Sequence, residues 1–370
     1  MDDDFLLKKL NERKAQNAFR QLRLPEGKID FCSNDYLGIV RANLIGKYLT
    51  GGYSHGATGS RLLSGNYPLI IQMEQMIAAF HDARSGLLFN SGYDANVGLL
   101  SCVPQRGDTI IYDQLSHASI RDGIRLSFAQ SFSFEHNSVG DLEEKLRVAK
   151  GNIFVVTETV FSMDGDMAPL AEIIRCCEKY HANLIVDEAH ATGVIGEKGE
   201  GVIQQLGLHR NCFARVHTFG KAVGCHGAIV LGSETLRDYL INFSRAFIYT
   251  TALPEADIAA IAASYKIFPE MYTERKYLRG LIHYFQERTA GLNSFRPDMS
   301  VIKSFTPIQI VIVPGNEQVR SIAKKLSDAN LDVRPILYPT VPKGKERLRV
   351  VLHTFNTNEE VDRLINAIVH

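Results

Sequence analysis

Apolar positions follow two alternating patterns along most of the chain. Short continuous runs, SGLLFN (85–90), DTIIYD (108–113), SFSF (131–134), NIFVVTET (152–159), NLIVDEA (183–189), RVHTFG (215–220) and GAIVLG (227–232), predict strands. Between them, helical spacing covers about 92–103, 117–126, 139–149 and 169–181. Continuous apolar strands alternating with helices imply a mostly parallel sheet covered on both faces. Ligands of such sheets bind at the carboxyl ends of the strands.

The flanking segments differ. Residues 5–23 predict an amphipathic helix through Phe5, Leu6, Leu10, Ala18, Phe19 and Leu22, ended by Pro25 and Gly27. A glycine- and serine-dense stretch at 51–69 gives way near Pro68 to a helix with Ile71, Met73, Met76, Ile77 and Phe80 apolar. One long mixed-charge helix is expected over 256–291. Then come the strand PIQIVIV (307–313), a helix at 316–329, strands in LDVRPIL (331–337) and ERLRVVLHT (346–354), and a helix from 357. The expected division is an N-terminal segment at 1–40, a large α/β domain at 41–265 and a small α+β domain at 266–370.

Charge narrows the partners. Lys and Arg number 41 and so do Asp and Glu, leaving no excess basic charge for a nucleic acid. The six cysteines form no C-x-x-C pair and no zinc-like spacing, so reduced thiols and no metal are expected. The N-terminus MDDDFLLKKLNERKAQ lacks the basic start and apolar core of a signal peptide. No run approaches the ~20 apolar residues that cross a bilayer. A soluble, cytoplasmic protein with no membrane partner is the expectation.

Candidate chemistry gathers at the ends of the apolar runs. Lys221 lies between glycines in a loop framed by two strands. Asp187 closes NLIVD; a carboxylate there needs a positive partner or serves as a helix cap. The tetrapeptide Asp187-Glu188-Ala189-His190 matches a helicase magnesium motif, which requires a G-x-x-x-x-G-K-[ST] loop. The Gly-Lys pairs at 27–28, 46–47, 220–221 and 344–345 are followed by Ile, Tyr, Ala and Glu, so that loop is missing. The other partner for such a carboxylate is a protonated pyridine nitrogen. Pyridoxal phosphate needs this acid and a Schiff-base lysine, and Asp187 and Lys221, 34 residues apart, supply both. His117, after DTIIYD, offers a planar face to a ring, or else a capped or core histidine. The loop FNSGYDANVG opens a helix and brings the backbone of Gly92 and Tyr93 toward an anion. Glu158 and Ser162 follow NIFVVT, near the ring or in an Asp-Gly turn.

With these residues in place, the chain resembles the α-oxoamine synthases. The matching stretches are SNDYLG (33–38), GATGSRLLSGN (56–66), DQLSHASI (113–120), VTETVFSMDGDMAPL (156–170), VDEAHATGVIGEKGEG (186–201), HTFGKAVGCHGAIVLG (217–232), IYTTALP (248–254) and PTVPKGKERLRV (339–350). The resemblance implies fold-type I: a mostly parallel seven-stranded sheet covered by helices, a smaller α+β C-terminal domain and an N-terminal helical segment. It implies pyridoxal phosphate as cofactor, with Lys221 as the Schiff-base lysine, Asp187 at the ring nitrogen and His117 stacked on the ring. His190 and Thr218 match residues at the cofactor's hydroxyl and phosphate, with Ser162 close by. Gly92 and Tyr93 fall where the family's backbone approaches the cofactor. Thr250 and Thr251 match residues reaching the phosphate of a neighbouring subunit, which implies a homodimer. Arg20, Asn34, Thr340 and Arg349 match substrate-contacting positions, with Arg349 clamping the amino-acid carboxylate.

The implied reaction is decarboxylative condensation of an amino acid with an acyl thioester. The branch most resembled joins L-alanine to a pimeloyl thioester, on CoA or acyl carrier protein, in biotin synthesis. Lys221 then takes the α-proton. Glycine or serine with another acyl-CoA is the alternative within the family, and a nucleotide-driven nucleic-acid motor the alternative outside it. Cys225 and His226 depart from the small residues the family usually carries there.

Overall fold

The computed structural model describes residues 3–22, 24, 27–49 and 51–370. It divides into two compact units. One comprises Leu37–Ser162 and Met167–Arg275; the other comprises Met1–Tyr36, Met163–Asp166 and Lys276–His370.

The larger unit is built on seven strands: β1 (Ser85–Phe89), β2 (Thr109–Asp113), β3 (Gln130–Phe134), β4 (Ile153–Glu158), β5 (Asn183–Asp187), β6 (Ala214–Thr218) and β7 (Ala228–Gly232). Their order across the sheet is β1-β7-β6-β5-β4-β2-β3. β7 runs antiparallel to both neighbours and the other pairs are parallel. Each strand corresponds to one of the apolar runs. The antiparallel strand has a local cause: β6 and β7 are joined by a short loop rather than a helical crossover, and parallel neighbours require a crossover.

Helices form where the 3.6-residue spacing predicted them, and a further helix, Glu234–Phe243, forms where none was predicted. Gly92–Cys102, Val139–Val148 and Glu234–Phe243 each start from a serine, Ser91, Ser138 and Ser233, whose hydroxyl accepts an otherwise unbonded amide of the first turn. Pro68 occupies the first turn of Pro68–Phe80, where its missing N–H costs nothing. Leu99, Leu100, Ile110, Ile120, Phe154, Ile185 and Val216 belong to one core between the sheet and its helices. β4, β5 and β6 are almost wholly buried and close on Glu158, Asp187 and Thr218, while β6 also buries Arg215 and His217 within its length.

The smaller unit carries a four-stranded antiparallel sheet in the order Arg334–Ile336, Arg347–Val351, Ile308–Ile312, Ser300–Ile302. A parallel ladder joins Ile29–Asp30 to Leu331–Asp332. The helix Asn358–Val369 begins with a full capping box between Thr357 and Glu360.

Three expectations fail. The helix over 5–23 stops at Ala15, because Asn17 takes the left-handed conformation with φ 51°. The helix has no buried residue, and Phe5 is 72% exposed, so no packed face extends it. Pro25, expected to end it, lies outside the described residues. The continuous helix over 256–291 is broken into Glu255–Ile267, a 3₁₀ turn at Phe268–Glu270, and Tyr272–Thr289. Pro269 lacks the amide that an uninterrupted helix needs. The strand in LDVRPIL likewise splits into Leu331–Asp332 and Arg334–Ile336. Among the described residues, no helix is long and apolar enough to cross a membrane.

Candidate active site

The site of the larger unit is assembled at the carboxyl ends of its parallel strands. The β6–β7 loop carries Lys221 and is pinned from within. Phe219 N–H donates to the Gly227 carbonyl at 2.9 Å, Cys225 N–H to Phe219 at 2.8 Å, and Gly224 N–H to Lys221 at 2.8 Å. Gly224 and Gly227 have φ of 69° and 103°, a region that favours glycine, and Phe219, Ala222 and Val223 are wholly buried. The lysine therefore leaves a rigid turn. Its Nζ lies 3.0 Å from His190 Nε2.

Two residues before His190, Glu188 anchors the segment. That carboxylate is fully buried and accepts the amides of Val202 at 3.1 Å and Ile203 at 2.7 Å, and the Thr159 hydroxyl at 3.0 Å. Burial pushes the Glu188 carboxyl up to about 7. Glu188 thus ties down the start of a helix, a structural role for this member of the helicase-like tetrapeptide.

Asp187, the last residue of β5, is 7% exposed. Its Oδ1 accepts Ala189 N–H at 2.8 Å and its Oδ2 accepts the Asn96 side-chain amide at 2.7 Å. Among the described residues no lysine or arginine lies within ion-pair distance of it. A buried carboxylate so placed calls for a cation from outside the chain.

His117 caps the helix Ala118–Leu126: its Nδ1 accepts Ser119 N–H at 3.2 Å and lies 2.8 Å from the Ser119 hydroxyl. Its own amide donates to Glu158 Oε1 at 2.5 Å. Burial holds the imidazole below its ordinary range, against the pull of Asp187. Glu158, at the end of β4, is pushed up to about 8 by burial and then by the Asp187 charge.

Gly92 opens the helix Gly92–Cys102 beside Thr218: a Cβ there would lie 3.2 Å from Thr218 Oγ1. A side chain would crowd Thr218 here, and the glycine leaves the first-turn amides at a positive helix end. Tyr93 points elsewhere, half-exposed, its hydroxyl donating to Asp122 at 2.8 Å. Ser162 is half-buried. Thr250 and Thr251 are drawn to Asn90, whose side-chain amide donates to Thr250 Oγ1 at 3.0 Å and the Thr251 carbonyl at 2.9 Å. Burial pushes the Cys225 thiol up to about 12, while His226 is exposed.

The remaining candidates belong to the smaller unit and form two pairs. Arg349 Nη2 donates to Asn34 Oδ1 at 3.1 Å, and buried Tyr36 donates to the same oxygen at 3.1 Å. Arg20 Nη2 reaches Thr340 Oγ1 at 3.4 Å on the surface.

Sequence reasoning missed Asn96, Ser119 and Asn90. Asn96 left a signal, a lone amide in the apolar helix GYDANVGLL, and it is 2% exposed. Ser119 and Asn90 sit in motifs already quoted but look like ordinary turn residues.

Comparison with known proteins fits this geometry. The family model for class I and II aminotransferases matches residues 26–368. The 8-amino-7-oxononanoate synthase of Emericella nidulans is 42% identical, over 99% of this chain and 94% of its own. A serine palmitoyltransferase variant from S. paucimobilis with bound pyridoxal phosphate superposes with a TM-score of 0.87 at 26% identity, covering 99% of this chain and 96% of that one. The 8-amino-7-oxononanoate synthase of Francisella tularensis gives 0.77 at 29% identity, covering 93% and 97%. The chain belongs to the class I and II aminotransferase family and, within it, to the α-oxoamine synthases, which depend on pyridoxal phosphate.

The residues fit that cofactor. Asp187 supplies the buried anion for a pyridinium, Lys221 the amine, His117 a planar side chain, and the Gly92 helix end a place for phosphate. Among the described residues no group of three or more His, Cys, Asp or Glu is arranged to hold a metal.

Proposed function

We propose that this chain condenses L-alanine with a pimeloyl thioester, releasing CO2 and free thiol and forming 8-amino-7-oxononanoate. The observation that carries the chemistry is the buried Asp187 carboxylate at the same end of the sheet as the Lys221 amine. The choice of substrates rests on full-length relatives of that name at 35–42% identity.

Pyridoxal phosphate supplies, when bound, an electron sink for a carbanion at the amino acid's α-carbon. The chain supplies the rest. Asp187 would face the ring nitrogen and hold its proton there. Lys221 takes the α-proton at Nζ, with His190 Nε2 beside it to accept or return a hydrogen bond. Arg349 and Asn34 are assigned to the amino-acid carboxylate, and Arg20 and Thr340 to the acyl substrate. Glu158, Ser162 and Thr218 line the cofactor side. Thr250 and Thr251 are assigned to the phosphate held by a second copy in a homodimer, with Asn90 setting their position.

The second reading, condensation of serine with a long acyl thioester, draws on the S. paucimobilis enzyme's higher TM-score. Identity favours the first reading: 42% against 26%. Incubation of the holoenzyme with L-alanine, glycine or L-serine and either pimeloyl-CoA or palmitoyl-CoA separates them by product mass. The proposal requires the alanine–pimeloyl product to dominate; a serine–palmitoyl product would overturn it.

A further inference from the structure

Asn96 stands between two residues of the site that do not touch each other. Its Nδ2 is 2.7 Å from Asp187 Oδ2 and 3.0 Å from Ser119 Oγ. An ionised carboxylate only accepts, so the amide nitrogen must face it, and its two hydrogens serve the two oxygens. The hydroxyl of Ser119, accepting from Asn96, keeps its own hydrogen for His117 Nδ1 at 2.8 Å. Ser119's backbone N–H also points at that nitrogen, at 3.2 Å. A ring nitrogen that receives two donors carries no proton. Asn96, Ser119 and Asp187 are all at least nine-tenths buried, so water does not compete for these bonds.

We propose that Asn96 is a positioning residue: it holds the Asp187 carboxylate in place and, through Ser119, fixes His117 as the tautomer with its proton on Nε2. The inference rests on the cofactor site proposed above. Its consequence is a division of labour. His117 presents an N–H donor at Nε2, suited to a substrate carbonyl or carboxylate, and cannot take a proton there. Proton removal falls to Lys221. Burial, which keeps the imidazole neutral, works in the same direction.

The test compares full-length wild type, Ser119→Ala and Asn96→Leu. Imidazole 15N spectra of the cofactor-free protein at neutral pH report the His117 tautomer. Titration with pyridoxal phosphate reports cofactor affinity. Wild type is expected to show His117 protonated at Nε2 alone. Ser119→Ala moves it toward a mixture, with cofactor affinity held within about threefold, and Asn96→Leu weakens the cofactor about 10- to 100-fold. A role limited to folding would lower thermal stability and leave both readouts unchanged. Wild-type His117 protonated at Nδ1, or cofactor affinity unaltered in a folded Asn96→Leu protein, overturns the proposal. If Asn96→Leu does not fold, the tautomer in wild type and Ser119→Ala decides. Failure of wild type to bind pyridoxal phosphate overturns the functional reading instead, and the tautomer measurement still decides His117.

Discussion

The two units hold their proposed chemistry by opposite means. In the larger one, Glu158, Asp187, His190 and Thr218 are 3, 7, 5 and 8% exposed. Asp187 and Glu158 are met by donors fixed in the fold, and His190 by the Lys221 amine. In the smaller one, Arg20 and Thr340 are on the surface with one long contact, and Arg349 and Asn34 are half-buried. Burial removes a polar group from water and demands ready-made partners; exposed groups keep their water until something displaces it. The difference is the one that a resident cofactor and a transient substrate would each require. It teaches that the rigid set should fail in an all-or-none manner and the exposed set gradually.

Replacing the amine tests the rigid set hardest. Lys221→Ala is expected to lower kcat by on the order of 10⁴-fold, with the fold intact by circular dichroism. Near-normal turnover would break the comparison. Next, Asp187→Asn keeps the shape and removes the charge. Cofactor affinity should fall about 10- to 100-fold, the worth of a charged hydrogen bond, as read by titration. Arg349→Lys keeps the charge and loses the planar fork, so KM for the amino acid should rise about tenfold while KM for the thioester moves little.

A pH series sharpens the same contrast. Glu158 is pushed up to about 8 from 4.5, so the folded protein binds its proton more tightly than the unfolded chain does. That contribution to stability is full below about 4.5 and is lost as pH rises through about 8. Cofactor-free wild type should lose melting temperature over this window relative to Glu158→Gln, by a few degrees. Arg20→Ala should have the smallest effect, under about threefold in KM for the thioester, as befits a solvated side chain.

Much of this was legible in the sequence. Each strand of the large sheet falls in one of the predicted runs, and three of them end in candidate site residues: Asp187, Glu158 and Thr218. Periodicity placed Asp187 and Glu158 at strand ends, while Thr218 was picked out only by the family resemblance. The lysine needed more, because a glycine-flanked lysine is commonplace; only Asp187 gave it a partner. What was not legible lay in contacts between elements. Asn96 and Ser119 are brought together by packing of the helices Gly92–Cys102 and Ala118–Leu126, which no local pattern encodes. The N-terminal helix was overdrawn because apolar spacing over 5–23 says nothing about whether a core awaits it. Asn17, with its left-handed backbone, was the better guide to its end.

The central claim is that Lys221 is the residue that carries the cofactor. Borohydride reduction of the purified holoenzyme, followed by peptide mass spectrometry, tests it directly. The account predicts a phosphopyridoxyl adduct on Lys221 and on no other lysine, absent from Lys221→Ala. An adduct on another lysine, or none in a protein that has taken up pyridoxal phosphate, would contradict it.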